Sequence, residues 1–192
     1  MEIILASASP RRLELLSRLG LELTVCPAHI NENIGITESF PLVRELSLKK
    51  AVSVFNGTSG VIAADTVVVM ENEILGKPET AAQARLMWRK LSGKTHEVTT
   101  GYTIISPEGI QRTNHVTSSI TFKKLTSDEI DAHLAAQQWH DKAGGYAIQG
   151  IAAFWIEKIN GSYTNVMGLP LMEVARDLIE IFPEFGAFPL RK

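Results

Sequence analysis

Apolar positions along the chain switch between continuous or period-two runs and helical patterns, the mark of an α/β architecture. Ile3–Ala6 and Leu23–Cys26 predict short strands, and Val61–Met70 predicts a longer one interrupted only by Asp65 and Thr66. His96–Ile105 and Ile110–Leu125 flank the turn signal Ser106-Pro107-Glu108-Gly109, so they predict a long hairpin. Tyr146–Gln149 and Ala152–Ile159 complete the expected strands, the second closed by Asn160-Gly161. Helices are expected from Ser9-Pro10 and from Pro41 through Phe55, the prolines standing near their first turns. The capping-box patterns Thr80-Ala81-Ala82-Gln83 and Thr126-Ser127-Asp128-Glu129 predict two more, ending near Leu91 and Ala136. A last helix starts near Pro170 with Leu171, Val174, Leu178 and Phe182 at helical spacing, and residues 183–192 are expected to be a loose tail. No internal repeat interrupts this order, and a single domain over residues 1–192 is expected.

Composition narrows the classes. With 19 basic against 21 acidic residues, the chain lacks the global positive field of a nucleic-acid binder, so any anion site must be local. No apolar stretch reaches the ~20 residues needed to span a bilayer, and Glu2 stands where a signal peptide needs a basic residue, so neither membrane nor export is expected. The single cysteine, Cys26, has no internal partner, which suits the cytoplasm.

Candidate chemistry concentrates in three segments. In Ser7-Ala8-Ser9-Pro10-Arg11-Arg12 a strand runs straight into a helix whose first turn carries two arginines. Cations there are unfavourable by ~0.3–1 kcal/mol each, whereas anions are welcome. The backbone N–H groups, the Ser7 and Ser9 hydroxyls and two guanidinium forks would cradle phosphate; pairing with Glu14 or exposure to solvent is the other reading. Asp65 lies in an otherwise apolar strand and needs a metal, a basic residue or several donors; general base, metal ligand and structural ion pair all meet that need. In Asp141–Gly150, three glycines bracket a short run with the polar Gln149, allowing a ligand close to the backbone or simply forming a turn. Taken alone, Lys50 on its helix, Lys77 between Gly76 and Pro78, and the loop carboxylate Glu32 are weak signals. There is no Walker-type phosphate loop, no His-Glu-x-x-His and no metal-binding cysteine pair.

With these segments assembled, the chain resembles the Maf family of nucleotide pyrophosphatases over nearly its whole length. The resemblance is carried by Ser7–Arg12, Leu46–Ala51, Ala64–Val68, Gly76-Lys77-Pro78, Leu91–His96 and Lys142–Gly150, in family order. It implies an inosine-triphosphatase-like α/β fold: a mixed sheet with flanking helices, two lobes around a central cleft, commonly dimeric. It also implies hydrolysis of a nucleoside triphosphate between the α and β phosphates with a divalent metal cation, Mg2+ or Mn2+. The position matching Asp65 is the family's proton acceptor, and those matching Arg11, Thr66 and Gln149 bear on specificity. Ser9, Arg12, Glu32, Lys50 and Lys77 match residues lining the same cleft, with Asp65 and Glu32 as the metal candidates. Ile148-Gln149-Gly150 is similar to the branch acting on dTTP and UTP, whereas the 7-methyl-GTP branch has a glutamate there. An amide suits the N3–H and O4 of uracil or thymine, while guanine's two adjacent donors suit a carboxylate. Asn31 departs from the second acidic residue the family often has before Glu32. A non-catalytic nucleotide-binding regulator of cell division would use the same pocket.

Overall fold

The computed structural model describes residues 2–188. Seven strands form one mixed sheet: β1 (Ile3–Leu5), β2 (Leu23–Val25), β3 (Gly60–Met70), β4 (Glu73–Leu75), β5 (Thr95–Ile105), β6 (Gln111–Phe122) and β7 (Ile156–Asn160). Their order is β2-β1-β3-β5-β6-β7, with β4 paired to β3. The β2-β1-β3 portion is parallel and the remaining ladders are antiparallel. Helices α1 (Pro10–Ser17), α2 (Ser39–Val54), α3 (Ala81–Leu91), α4 (Ser127–Ala135), α5 (Tyr163–Met167) and α6 (Leu171–Ile181) flank it.

The parallel portion determines where a ligand can sit. Leu15 and Leu16 of α1 pack with Ile3, Leu5, Ile62 and Ala64 in one core, while Ala51 of α2 packs with Ile4, Ala6, Val61 and Ala63 in another. These strand residues alternate in parity, so the two helices lie on opposite faces. Helices α1 and α2 therefore diverge to the two faces, leaving a crevice beyond the carboxyl end of β1 and against the middle of β3. Because β1 ends at Leu5, opposite Ile62, and β4 begins its pairing at Val68, the β3 edge between them is free of a strand partner. The far ends of β3, β5 and β6 enter a third core, where Trp155 meets both Trp88 of α3 and Phe122. That core and the α1/α6 core form two lobes with the crevice between them, realising the inosine-triphosphatase-like α/β arrangement expected.

Local chemistry explains most elements. Thr126 and Glu129 form the reciprocal capping box. Thr80 caps α3 through Gln83 N–H, but the Gln83 side chain accepts from Glu79 rather than from the cap itself. The second helix begins at Ser39, two residues before Pro41. On α2, Val43, Leu46, Ser47, Lys50 and Ala51 are buried, a helical stripe that includes a lysine. Gly101 of β5 admits this helix: a Cβ there would lie 2.3 Å from Val43 O.

Several expectations are corrected. Tyr146–Gln149 is not a strand: Gly144 and Gly145 hold φ of 66° and 71°, and the chain turns. Residues Ile151–Trp155 form a 3-10 helix, because Ala152 and Trp155 are buried three residues apart, and the strand begins only at Ile156. The hairpin's second strand is shorter than Ile110–Leu125, and β4 and α5 were not foreseen. Residues 183–188 are not a loose tail, since Pro183–Phe185 make a 3-10 turn and Phe185 and Phe188 pack against the α1/α6 core; residues 189–192 lie outside the described residues.

Candidate active site

The crevice is a cavity of about 750 Å³. That volume falls in the range of small-molecule sites, roughly 300–1,000 Å³. Ser9, Arg11, Arg12, Glu32, Lys50, Asp65, Thr66 and Lys77 all line it, so residues up to 68 positions apart converge on one space. Gln149 is the exception among the residues expected here: it is exposed on the turn after Tyr146 and does not line the cavity, although Tyr146 and Ile148 do.

At the floor is a charge bridge. Lys50 Nζ lies 2.6 Å from both Asp65 Oδ1 and Glu32 Oε1, with Lys50 and Asp65 almost fully buried. The geometry follows from the fold: Asp65 pairs in register with Gly101, whose missing side chain brings α2 close enough for Lys50 to reach the strand. Asp65 Oδ2 has no hydrogen-bond donor among the described residues. Lys77 Nζ approaches the other Glu32 oxygen at 3.9 Å. Burial pushes the Glu32 carboxyl up, but the hydrogen bond and charge of Lys50 outweigh it and hold Glu32 below the usual carboxylate range. The buried stripe of α2 was the sequence signal for Lys50: a lysine at a core-facing position needs a counterion.

The two arginines divide sharply. Arg12 donates through Nε to Gly168 O at 2.8 Å, and through its terminal nitrogens to Ser7 Oγ and Thr66 Oγ1, each at 3.1 Å. Gly168 can present that carbonyl because it closes α5 in the left-handed region, φ 110°. Thr66 is held in turn by Thr100, which donates to Asn165 O, and the fully buried Asn165 amide donates to Val98 O and Ser118 Oγ. Thr66 thus joins the cleft to a continuous polar network under α5. The loop 160–170, whose role the sequence left open, supplies this support, with Ser162 as the helix cap. Ser9 caps α1 through its backbone position alone; its side chain makes no cap bond, and its N–H donates to Ser7 Oγ at 3.2 Å. Arg11 makes no hydrogen bond or ion pair among the described residues, and burial lowers its affinity for its proton.

Lys142 and Tyr146, from the glycine-bracketed segment Asp141–Gly150, also line the cavity, as do His29 and His140, for which the sequence carries no signal. The turn at Gly144 and Gly145 delivers the neighbouring Lys142 to the cavity. Five cations, Arg11, Arg12, Lys50, Lys77 and Lys142, face three lining carboxylates, Glu32, Asp65 and Asp141. A chain with net charge −2 therefore holds a locally positive cavity. Among the described residues no group of three or more His, Cys, Asp and Glu is placed to hold a metal. Two carboxylates do fit a magnesium-type ion that takes its other ligands from phosphate and water.

A family model described as "Maf-like protein" matches residues 2–181. The chain belongs to the Maf family. Among its relatives, the dTTP/UTP pyrophosphatase of Syntrophus aciditrophicus (strain SB) is 46% identical over 181 residues, covering 92% of this chain and 88% of that one. The dTTP/UTP pyrophosphatase of Geobacter sulfurreducens is 48% identical over 184 residues, covering 93% and 96%. Among solved structures, a HAM1 protein from Coxiella burnetii matches with a TM-score of 0.54 over 94% of this chain and 99% of that one, at 16% identity, a likeness of fold.

Proposed function

We propose that this Maf protein hydrolyses dTTP and UTP to the monophosphate and pyrophosphate, acting as one domain over residues 1–192. The observation that carries the reading is the Lys50 bridge between Asp65 and Glu32 on the floor of a cation-rimmed cavity. Its relatives named dTTP/UTP pyrophosphatase support the choice of substrate. Lys50 holds one Asp65 oxygen, so the other accepts a proton from water. That water's oxygen forms a bond to the α-phosphorus, the bond to the bridging oxygen breaks with its electron pair going to that oxygen, and pyrophosphate leaves. Arg12, fixed at Gly168, Ser7 and Thr66, presents its remaining donors to the phosphates, with Ser9, Arg11 and Lys77 around it. Asp65 and Glu32 would hold a Mg2+ or Mn2+ ion, which would supply charge neutralisation on the triphosphate; an Asp65 oxygen bound to the ion does not serve as the base at the same time. Arg11, Thr66 and Gln149 bear on specificity in this reading, with Gln149 reading the pyrimidine edge through an inward movement of its exposed turn. The exposed, unpaired Cys26 suits a cytoplasmic setting, and no described helix is long and apolar enough to cross a membrane. A homodimer and the absence of nucleic-acid and membrane partners belong to the same reading.

A panel of dTTP, UTP, CTP and 7-methyl-GTP with Mg2+ or Mn2+, read by pyrophosphate release, tests the substrate. Preference for 7-methyl-GTP overturns the pyrimidine assignment, and no turnover of any triphosphate leaves a nucleotide-binding regulator. Asp65→Asn is expected to abolish turnover while dTTP binding persists; wild-type pyrophosphate release by that variant refutes the base.

A further inference from the structure

We propose that Lys142, acting with Arg11, binds the β- and γ-phosphates and so holds the pyrophosphate leaving group; this rests on the pyrophosphatase reading above. The cavity's five cations are not equivalent. Arg12 is engaged by three protein acceptors, Lys50 lies between two carboxylates, and Lys77 leans on Glu32. Arg11 and Lys142 are different: neither forms an ion pair among the described residues, and the Lys142 ammonium donates only to His140 O at 3.2 Å. Both are partly buried in the same cavity. Burial lowers the proton affinity of each, and for Lys142 the Arg11 charge lowers it further while the Asp141 charge opposes the change in part. Two cations lining one cavity with no ion pair of their own, Asp141 acting on Lys142 only through its charge, are a ready site for an anion.

Lys142 is also held in place by a built turn. Asp141 adopts φ 57°, a left-handed conformation that aspartate tolerates better than most residues, and Gly144 and Gly145 follow at 66° and 71°. Gly144 N–H donates to Gly76 O at 3.0 Å, and Trp88 Nε1 donates to Gly144 O at 3.1 Å. A Cβ on Gly145 would meet Trp88 Nε1 at 3.1 Å, so the turn is pressed onto α3. Lys142 and the Lys77 loop are thereby linked through Gly76. With Asp65 acting at the α-phosphorus, the remaining two phosphates lie toward the unengaged cations. When the bond to the bridging oxygen breaks, the charge gained by pyrophosphate falls between Arg11 and Lys142.

The test is calorimetric titration of inorganic pyrophosphate and, separately, dTMP into wild type, Lys142→Met and Lys142→Arg. Pyrophosphate binding is expected to weaken about tenfold or more in Lys142→Met. It should stay near wild type in Lys142→Arg, with dTMP unchanged in both. Unchanged pyrophosphate affinity in Lys142→Met, equal weakening of both ligands, or a comparable loss in Lys142→Arg overturns the assignment. Lys142→Ala replaces the methionine variant if that protein does not fold. Failure of the pyrophosphatase reading shows separately, as absent dTTP and UTP turnover by wild type, and the pyrophosphate titration still reads Lys142.

Discussion

Replacing Lys50 by methionine keeps the side-chain volume and deletes the charge between Asp65 and Glu32. The side chains of Lys50 and Asp65 are 10% and 12% exposed, whereas Glu32 is 47% exposed. Removing one partner of a buried ion pair costs about 3–5 kcal/mol, because the other is left uncompensated. Water can take over at half-exposed Glu32, so the loss falls mainly on Asp65 and the low end, about 3 kcal/mol, is expected. In a chain of this length each kcal/mol moves Tm by roughly 2–4 °C, so Tm should fall by about 6–12 °C. Asp65→Asn leaves Lys50 its Glu32 partner and should cost less, and the double variant should be more stable than the two losses added, by about 0.5–3 kcal/mol of coupling. Thermal and urea denaturation of the four proteins measures this, at low and high salt, since a buried pair is little screened. A Tm change under about 2 °C in Lys50→Met, or strict additivity in the double variant, would refute the bridge.

Two further outcomes follow from packing and protonation. Gly101→Ala would place its Cβ against Val43 O, so α2 must shift; a loss of about 1–3 kcal/mol is expected by denaturant melting, with dTTP turnover falling because Lys50 moves with the helix. The buried His96 accepts from or donates to Tyr146 OH at 2.6 Å, and burial lowers its pKa to about 4. The unfolded chain binds that proton near pH 6.5 and the folded one does not, so stability is full above that value and is lost as pH falls toward 4, by up to about 3 kcal/mol. Urea melts from pH 7 to pH 4 should lose this slope in His96→Gln, and an unchanged slope would place the titration elsewhere.

Where local chemistry decides conformation, the sequence was sufficient. The Thr126-Glu129 box, the Pro10 helix start and the long β5–β6 hairpin are set by caps, proline geometry and period-two runs. The misread segments are those where neighbours override local preference. Tyr146–Gln149 looks like a strand by residue type, but the glycines before it reverse the chain and α3 grips them through Trp88. Ala152–Trp155 runs without a break into the strand Ile156–Asn160, yet its buried positions fall three apart, a spacing imposed by the third core.

The site divides along the same line. That Ser7–Arg12 invites an anion, and that a lone aspartate in an apolar strand demands a partner, is written in the chain, because charge beside a helix start or inside a core is unfavourable without compensation. Which partner it takes is a tertiary matter. Lys50 answers Asp65 because Gly101 lets α2 approach, Arg12 is fixed rather than free because Gly168 returns a carbonyl 156 residues later, and Lys142 enters the cavity on a turn anchored from α3. No spacing along one chain encodes those distances, since each depends on two segments folding onto a third.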